Sequence, residues 1–125
     1  MKEVNGAFCY RWEDLPQDTP MPQIDRRRIM GKKAMLSEVF LHKGCSVPTH
    51  AHENEQFACV VSGRMRFGLG EDGDEKRRFV ELGAGEVLHV PSWVPHSADA
   101  LEDSLVLDVF SPVSEGTGLD VHSKG

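Results

Sequence analysis

Between residues 32 and 112 the chain is written as short apolar runs, each stopped by glycine, proline or an acidic turn. KAMLSEVFLH (33–42) stops at Gly44, EQFACVVSG (55–63) at Gly63, and RMRFGLG (64–70) at the stretch EDGDE. KRRFVEL (76–82) stops at 83–85, EVLHV (86–90) at Pro91, and SLVLDVF (104–110) at Ser111-Pro112. Runs of this length, recurring every 8 to 12 residues or so without helical periodicity, predict strands. The expected fold is all-β, a sandwich or barrel. Ser62-Gly63-Arg64 is read as a tight hairpin, and Glu71-Asp72-Gly73-Asp74 as another.

Both ends depart from this pattern. Residues 1–31 hold Pro16, Pro20 and Pro22 among polar positions and read as an N-terminal arm with little regular structure, anchored by Tyr10 and Trp12. Arg26, Arg28 and the intervening Arg27 form a basic run, expected on a solvated strand edge or at an intersubunit contact. Residues 113–125 are polar and glycine-rich and read as a flexible tail. The domain organisation is thus an arm, a single barrel over 32–112, and a tail.

The run 104–110 carries a misfit. Val106, Asp108 and Phe110 share one face of an extended strand, and Leu105, Leu107 and Val109 share the other. Both faces are apolar except for Asp108. An acid on an apolar face needs a partner or a purpose, so Asp108 is either a structural, hydrogen-bonded acid or a functional group.

Composition narrows the class. A chain of 125 residues with 39% hydrophobic and 27% charged residues describes one globular domain with a core of its own. No apolar run is long enough to span a bilayer, and the first residues lack the apolar core of a secretory signal, so the expected location is the cytoplasm. A net charge of -6 argues against nucleic-acid binding. Three cysteines, Cys9, Cys45 and Cys59, are an odd number without C-x-x-C spacing and argue against a disulfide framework; Cys45 and Cys59 are read as small buried hydrophobes, not ligands.

Chemistry concentrates between Gly44 and Gly63. On an extended strand His50 and His52 point the same way, and two imidazoles aimed at one point most often bind a divalent metal. The bland alternative is an exposed polar pair in a loop. Gln56 keeps the parity of the two histidines and Glu55 does not, although a turn at Glu53-Asn54 would reopen that choice. His96 is a further candidate, stiffened by Pro91 and Pro95. His42, His89 and His122 are weaker ones.

Gly44-x5-His50-x-His52-x3-Gln56-x6-Gly63 resembles the first cupin motif, with glutamine in the place of glutamate. Gly85-x5-Pro91-x-Trp93-x2-His96 resembles the second, with Trp93 in a glycine position and Ala100 in the terminal asparagine position. The resemblance implies a double-stranded β-helix (jelly-roll) barrel, commonly dimeric. It also implies one divalent transition metal, zinc, nickel, manganese or iron, held by His50, His52, Gln56 and His96. Three imidazoles and an amide are neutral, so the ion would keep its double charge, which favours Lewis-acid over dioxygen chemistry.

HAHENEQ, VVSGR and LDVFSP resemble the small single-domain cupins of pectin and alginate breakdown, which linearise cyclic 4,5-unsaturated uronates. That resemblance implies Asp108 as an acid/base group and Phe110 as a substrate contact. The subgroup usually follows FSP with an arginine two residues on, suited to a carboxylate. This chain has Ser114 there, leaving Arg64 or Arg66 as substitutes if either points inward. The first expectation is therefore a non-redox, metal-dependent lyase or isomerase of a small oxygenated molecule. The alternatives are an iron-dependent dioxygenase and a non-catalytic metal- or sugar-binding module.

Overall fold

A computed structural model describes residues 1–113, and the expected tail lies outside them apart from Val113, as do Ser114 and His122. Among the described residues there are twelve strands and one short 3-10 turn. In chain order the strands are β1 (Lys2–Val4), β2 (Ala7–Cys9), β3 (Asp18–Met21), β4 (Ile24–Met30), β5 (Met35–Leu41) and β6 (Ser46–His50). They continue with β7 (Glu55–Ser62), β8 (Arg64–Leu69), β9 (Arg78–Gly83), β10 (Val87–Val90), β11 (His96–Ala100) and β12 (Ser104–Ser111). A six-stranded sheet in the order β10-β7-β12-β5-β4-β3 faces a four-stranded sheet in the order β6-β11-β8-β9, and β1-β2 form a separate hairpin. This is the jelly-roll barrel expected, and every strand pairing in it is antiparallel.

Alternation explains the packing. On β5 Met35, Ser37, Val39 and Leu41 turn inward, and on β12 Ser104, Val106, Asp108 and Phe110 do. Met65 and Phe67 come in from β8 and Val47 from β6, so the core is shared by both sheets. Burying a side chain of this size stabilises by roughly 1.5–3 kcal/mol, which locks strand register, because a one-residue slip would send the set to solvent.

One of the two expected hairpins is corrected. Ser62-Gly63-Arg64 does not form a hairpin, since β7 and β8 lie in different sheets and do not pair. Gly63 is the corner between the sheets, at φ +86°, and a β-carbon there would lie 2.3 Å from Ser104 Oγ. Only glycine fits such a corner. The acidic stretch does close a hairpin, between β8 and β9.

The first 31 residues are also more regular than expected. They hold β1 to β4, and β4 pairs along its whole length with β5. The basic run alternates on this inner strand instead of lining an edge. Arg26 is 3% exposed and donates through Nε and Nη2 to Asp18 at 3.1 and 2.7 Å, while Arg27 pairs with Glu38 at 3.6 Å. The pairing with Arg26 holds the Asp18 carboxyl below its ordinary range. Proline and arginine obscured the strand, because ion pairs inside the fold are invisible to hydrophobic patterning.

Candidate metal centre

His50, His52 and His96 come together from three segments. His50 ends β6 and pairs across the sheet with His96, the first residue of β11, their ring centroids 4.4 Å apart. His52 lies in the connection between the two sheets, its ring 5.5 Å from that of His50 and 5.0 Å from that of His96. One nitrogen from each ring lies within 4.8 Å of the others. The strand parity expected over 50–56 is not the cause. The strand stops at His50 and resumes at Glu55 in the other sheet, so the residues converge at a corner.

Each imidazole is oriented in the same manner. Nδ1 of His50 donates to the Pro48 carbonyl, Nδ1 of His52 to that of Asn54 and Nδ1 of His96 to that of Val94, each at 2.9 Å. A carbonyl oxygen only accepts, so Nδ1 holds the proton and Nε2 presents a lone pair. All three Nε2 atoms are buried without a hydrogen-bond partner. Burial pushes the pKa of His50 down, and that of His96 down to about 4, so His96 stays neutral at ordinary pH.

Gln56 supplies a fourth orphan. It points inward from β7, its Nε2 donates to Asp108 Oδ1 at 3.0 Å, and its Oε1 has no partner. Glu55 points to the outer face, where its carboxylate meets His89 Nε2 at 2.7 Å, and of the two only Gln56 lines the cavity with His50 and His96. His89 is half-exposed and stacked on Phe57, and His42 pairs with Asp25 on the surface. Buried polar atoms left unpaired cost free energy; the three histidine nitrogens lie within 4.8 Å of one another and Gln56 shares their cavity, so a divalent cation would relieve them and the donor set fits a metal.

Asp108 is buried and opposite Ala58 on β7, diagonal to Gln56. Burial pushes its carboxyl up to about 6, against the lowering effect of the Gln56 hydrogen bond. Phe110, on the same face, meets His52 edge-on at 5.8 Å. A cavity inside the barrel joins His50, Gln56, His96 and Asp108 to an apolar wall of Val39, Val47, Met65 and Phe67. Arg64 and Arg66 flank the inward Met65 and point the other way. Arg64 pairs with Glu81 at 3.0 Å, and Arg66 stacks over Phe79. Neither lines the cavity.

Two features of the site were not foreseen from sequence. Asn54 is buried and hydrogen-bonded to Pro112, and Trp93 takes φ +65°. Trp93 stands where the second motif has glycine, and the left-handed backbone explains that glycine. Its N–H donates to the His52 carbonyl at 2.8 Å, which holds the strained turn against the metal-site connection.

Comparison with known proteins agrees with this picture. The cupin domain model matches residues 37–110. No curated protein matches in sequence. An RmlC-like cupin from Shewanella frigidimarina NCIMB 400 superposes with a TM-score of 0.76 at 24% identity, covering 87% of this chain and 94% of that one. KdgF from Halomonas sp. superposes with a TM-score of 0.72 at 29% identity, over 85% and 95%. An oxalate decarboxylase from Lactobacillus farciminis, solved as a formate complex, gives 0.74 at 19% identity, over 86% of this chain and 34% of that one. No helix is long and apolar enough to cross a membrane among the described residues. Since the matched stretch spans more than half of the chain and is the part that builds the barrel and brings the three histidines together, the protein belongs to the cupin family.

Proposed function

We propose that this cupin is a metal-dependent isomerase or lyase of a small, carboxylate-bearing sugar derivative, with linearisation of a 4,5-unsaturated uronate as its reaction. The observation that carries the proposal is the set of four partnerless buried atoms, His50, His52 and His96 Nε2 and Gln56 Oε1, beside the buried acid Asp108. The motifs HAHENEQ, VVSGR and LDVFSP support the substrate class, as does the likeness to KdgF.

A divalent transition metal held by these four neutral donors would keep its double charge and supply Lewis-acid polarisation of substrate oxygens. The chain's own residues do the rest. Linearisation is an isomerisation: the anomeric hydroxyl loses a proton, the bond from C1 to the ring oxygen breaks, that oxygen becomes the C5 ketone, and C4 gains a proton. One group can accept the first proton and return one to C4. Asp108 suits this role because, with a pKa of about 6, it exchanges a proton readily near neutrality. Gln56 Nε2 fixes the carboxylate by donating to Oδ1, and Phe110, which packs edge-on against His52 and does not itself line the cavity, supports that ring instead of contacting substrate as the motif implied. The apolar lining excludes water from the reacting carbons.

The outer face of the larger sheet exposes Phe57, Val61 and Val87, which supports a homodimer, and the three free cysteines suit a reducing, cytoplasmic setting.

The test is elemental analysis of the purified protein beside its His50→Ala/His52→Ala variant, together with the ultraviolet absorbance of an unsaturated uronate. Stoichiometric metal in the wild type alone, and faster loss of absorbance than without enzyme, are expected. Metal retained by the double variant overturns the ligand assignment. A metal-loaded protein that leaves the absorbance at its spontaneous rate overturns the substrate.

A further inference from the structure

Asn54 lies between His52 and Gln56 in a stretch, 51–54, that belongs to neither sheet and so has no ladder to hold its peptides. It is nonetheless 6% exposed. Its backbone oxygen accepts the Nδ1–H of His52, and its side-chain Nδ2 donates to the carbonyl oxygen of Pro112. One residue thus joins the ring of His52 to the end of β12, the strand that carries Asp108 and Phe110.

An acceptor orients an imidazole only if the acceptor itself is held. For His50 and His96 the acceptors are prolyl and valyl carbonyls two residues upstream, Pro48 lying within β6 and Val94 in a turn closed on Pro91. For His52 the acceptor is two residues downstream, in the irregular connection, and the amide of Asn54 is what pins it. An acid in its place would oppose one carbonyl oxygen with another acceptor.

We propose that Asn54 is a positioning residue for the metal centre. It holds the carbonyl that sets the tautomer and direction of His52, and it couples this one ligand to the strand end bearing Asp108 and Phe110. The inference rests on the metal reading of the three histidines. Groups that orient metal-bound imidazoles typically affect affinity ten- to a hundredfold.

The test uses the full chain, as wild type and Asn54→Ala, with Asn54→Ser as a milder second variant. Zinc affinity is read by competition with a chromophoric chelator. The ring-nitrogen NMR spectrum of the metal-free, 15N-histidine-labelled protein reads each tautomer. The expected result is zinc binding weakened about ten- to a hundredfold, with His52 alone losing its fixed Nδ1–H form. A wild-type affinity unchanged in both variants overturns the proposal. So does equal disturbance of His50, His52 and His96, which would mark general loosening. If the wild type binds no zinc, nickel, manganese or iron, the metal reading itself falls and the proposal with it; unaltered nitrogen spectra in a zinc-binding protein overturn the positioning role alone.

Discussion

Replacing Asp108 by asparagine should make the metal-free protein more stable and the metal-loaded protein far less active. The side chains are nearly isosteric, and an asparagine oxygen can still accept from Gln56 Nε2, so packing and the hydrogen bond survive. What changes is the buried charge. A carboxyl raised by burial from 3.8 to about 6 is protonated more readily when folded than when unfolded. Above about pH 6 the folded protein must therefore hold an unfavourable anion, at a cost of about 3 kcal/mol. Below that pH the cost shrinks, to about 1 kcal/mol near pH 4.5, because the folded carboxyl regains its proton while the unfolded one is still largely ionised. Urea unfolding of wild type and Asp108→Asn at the two pH values measures the difference directly. The expected gain is about 3 kcal/mol near pH 7.5 and about 1 kcal/mol near pH 4.5. Comparing variants at the same pH cancels every other titration. Uronate turnover should fall at least about a hundredfold. A variant that is neutral or destabilised near pH 7.5, or a gain that does not shrink on acidification, refutes the account of Asp108 as a buried, high-pKa acid. Stability given up for a reactive group is the expected signature of a functional site.

Two further outcomes follow from the same geometry. Gly63→Ala places a β-carbon 2.3 Å from Ser104 Oγ and 2.4 Å from the Asp103 carbonyl at φ +86°, so the thermal midpoint should drop by an amount equivalent to at least about 3 kcal/mol. His96 is held neutral, with its pKa pushed to about 4. The unfolded chain takes up a proton at this site below about pH 6.5 and the folded one resists it, so the metal-free protein loses up to about 3 kcal/mol as pH falls from there to about 4. Relative to wild type, His96→Gln should become progressively more stable across that window by chemical denaturation; a constant difference would contradict a buried neutral imidazole.

Much of this was legible from residue order. Short apolar runs stopped by glycine, proline or an acidic turn over 33–112 located β5, β7, β8, β9, β10 and β12, because strands of a barrel are short and must end in turns. β4 escaped notice, since Arg26 and Asp18 satisfy each other inside the fold and leave no apolar trace. β6 and β11 were hidden by Pro48 and by short polar residues.

The sequence by itself determined which residue types were available for chemistry and which shared a strand face. His50, His52, Gln56, His96, Asp108 and Phe110 could all be picked out from spacing and motif. Tertiary structure decided their convergence. His50 and His96 belong to one sheet and Gln56 and Asp108 to the other, so only the packing of the two sheets brings these groups to one cavity. It also decided which groups were excluded. Glu55, Arg64 and Arg66 are one residue out of phase with inward neighbours and are spent on surface partners. Lastly, it decided the state of the groups that remain. Removal from water is a property of the folded environment and not of any residue, and it is the main cause that keeps His96 neutral and Asp108 ready to exchange a proton.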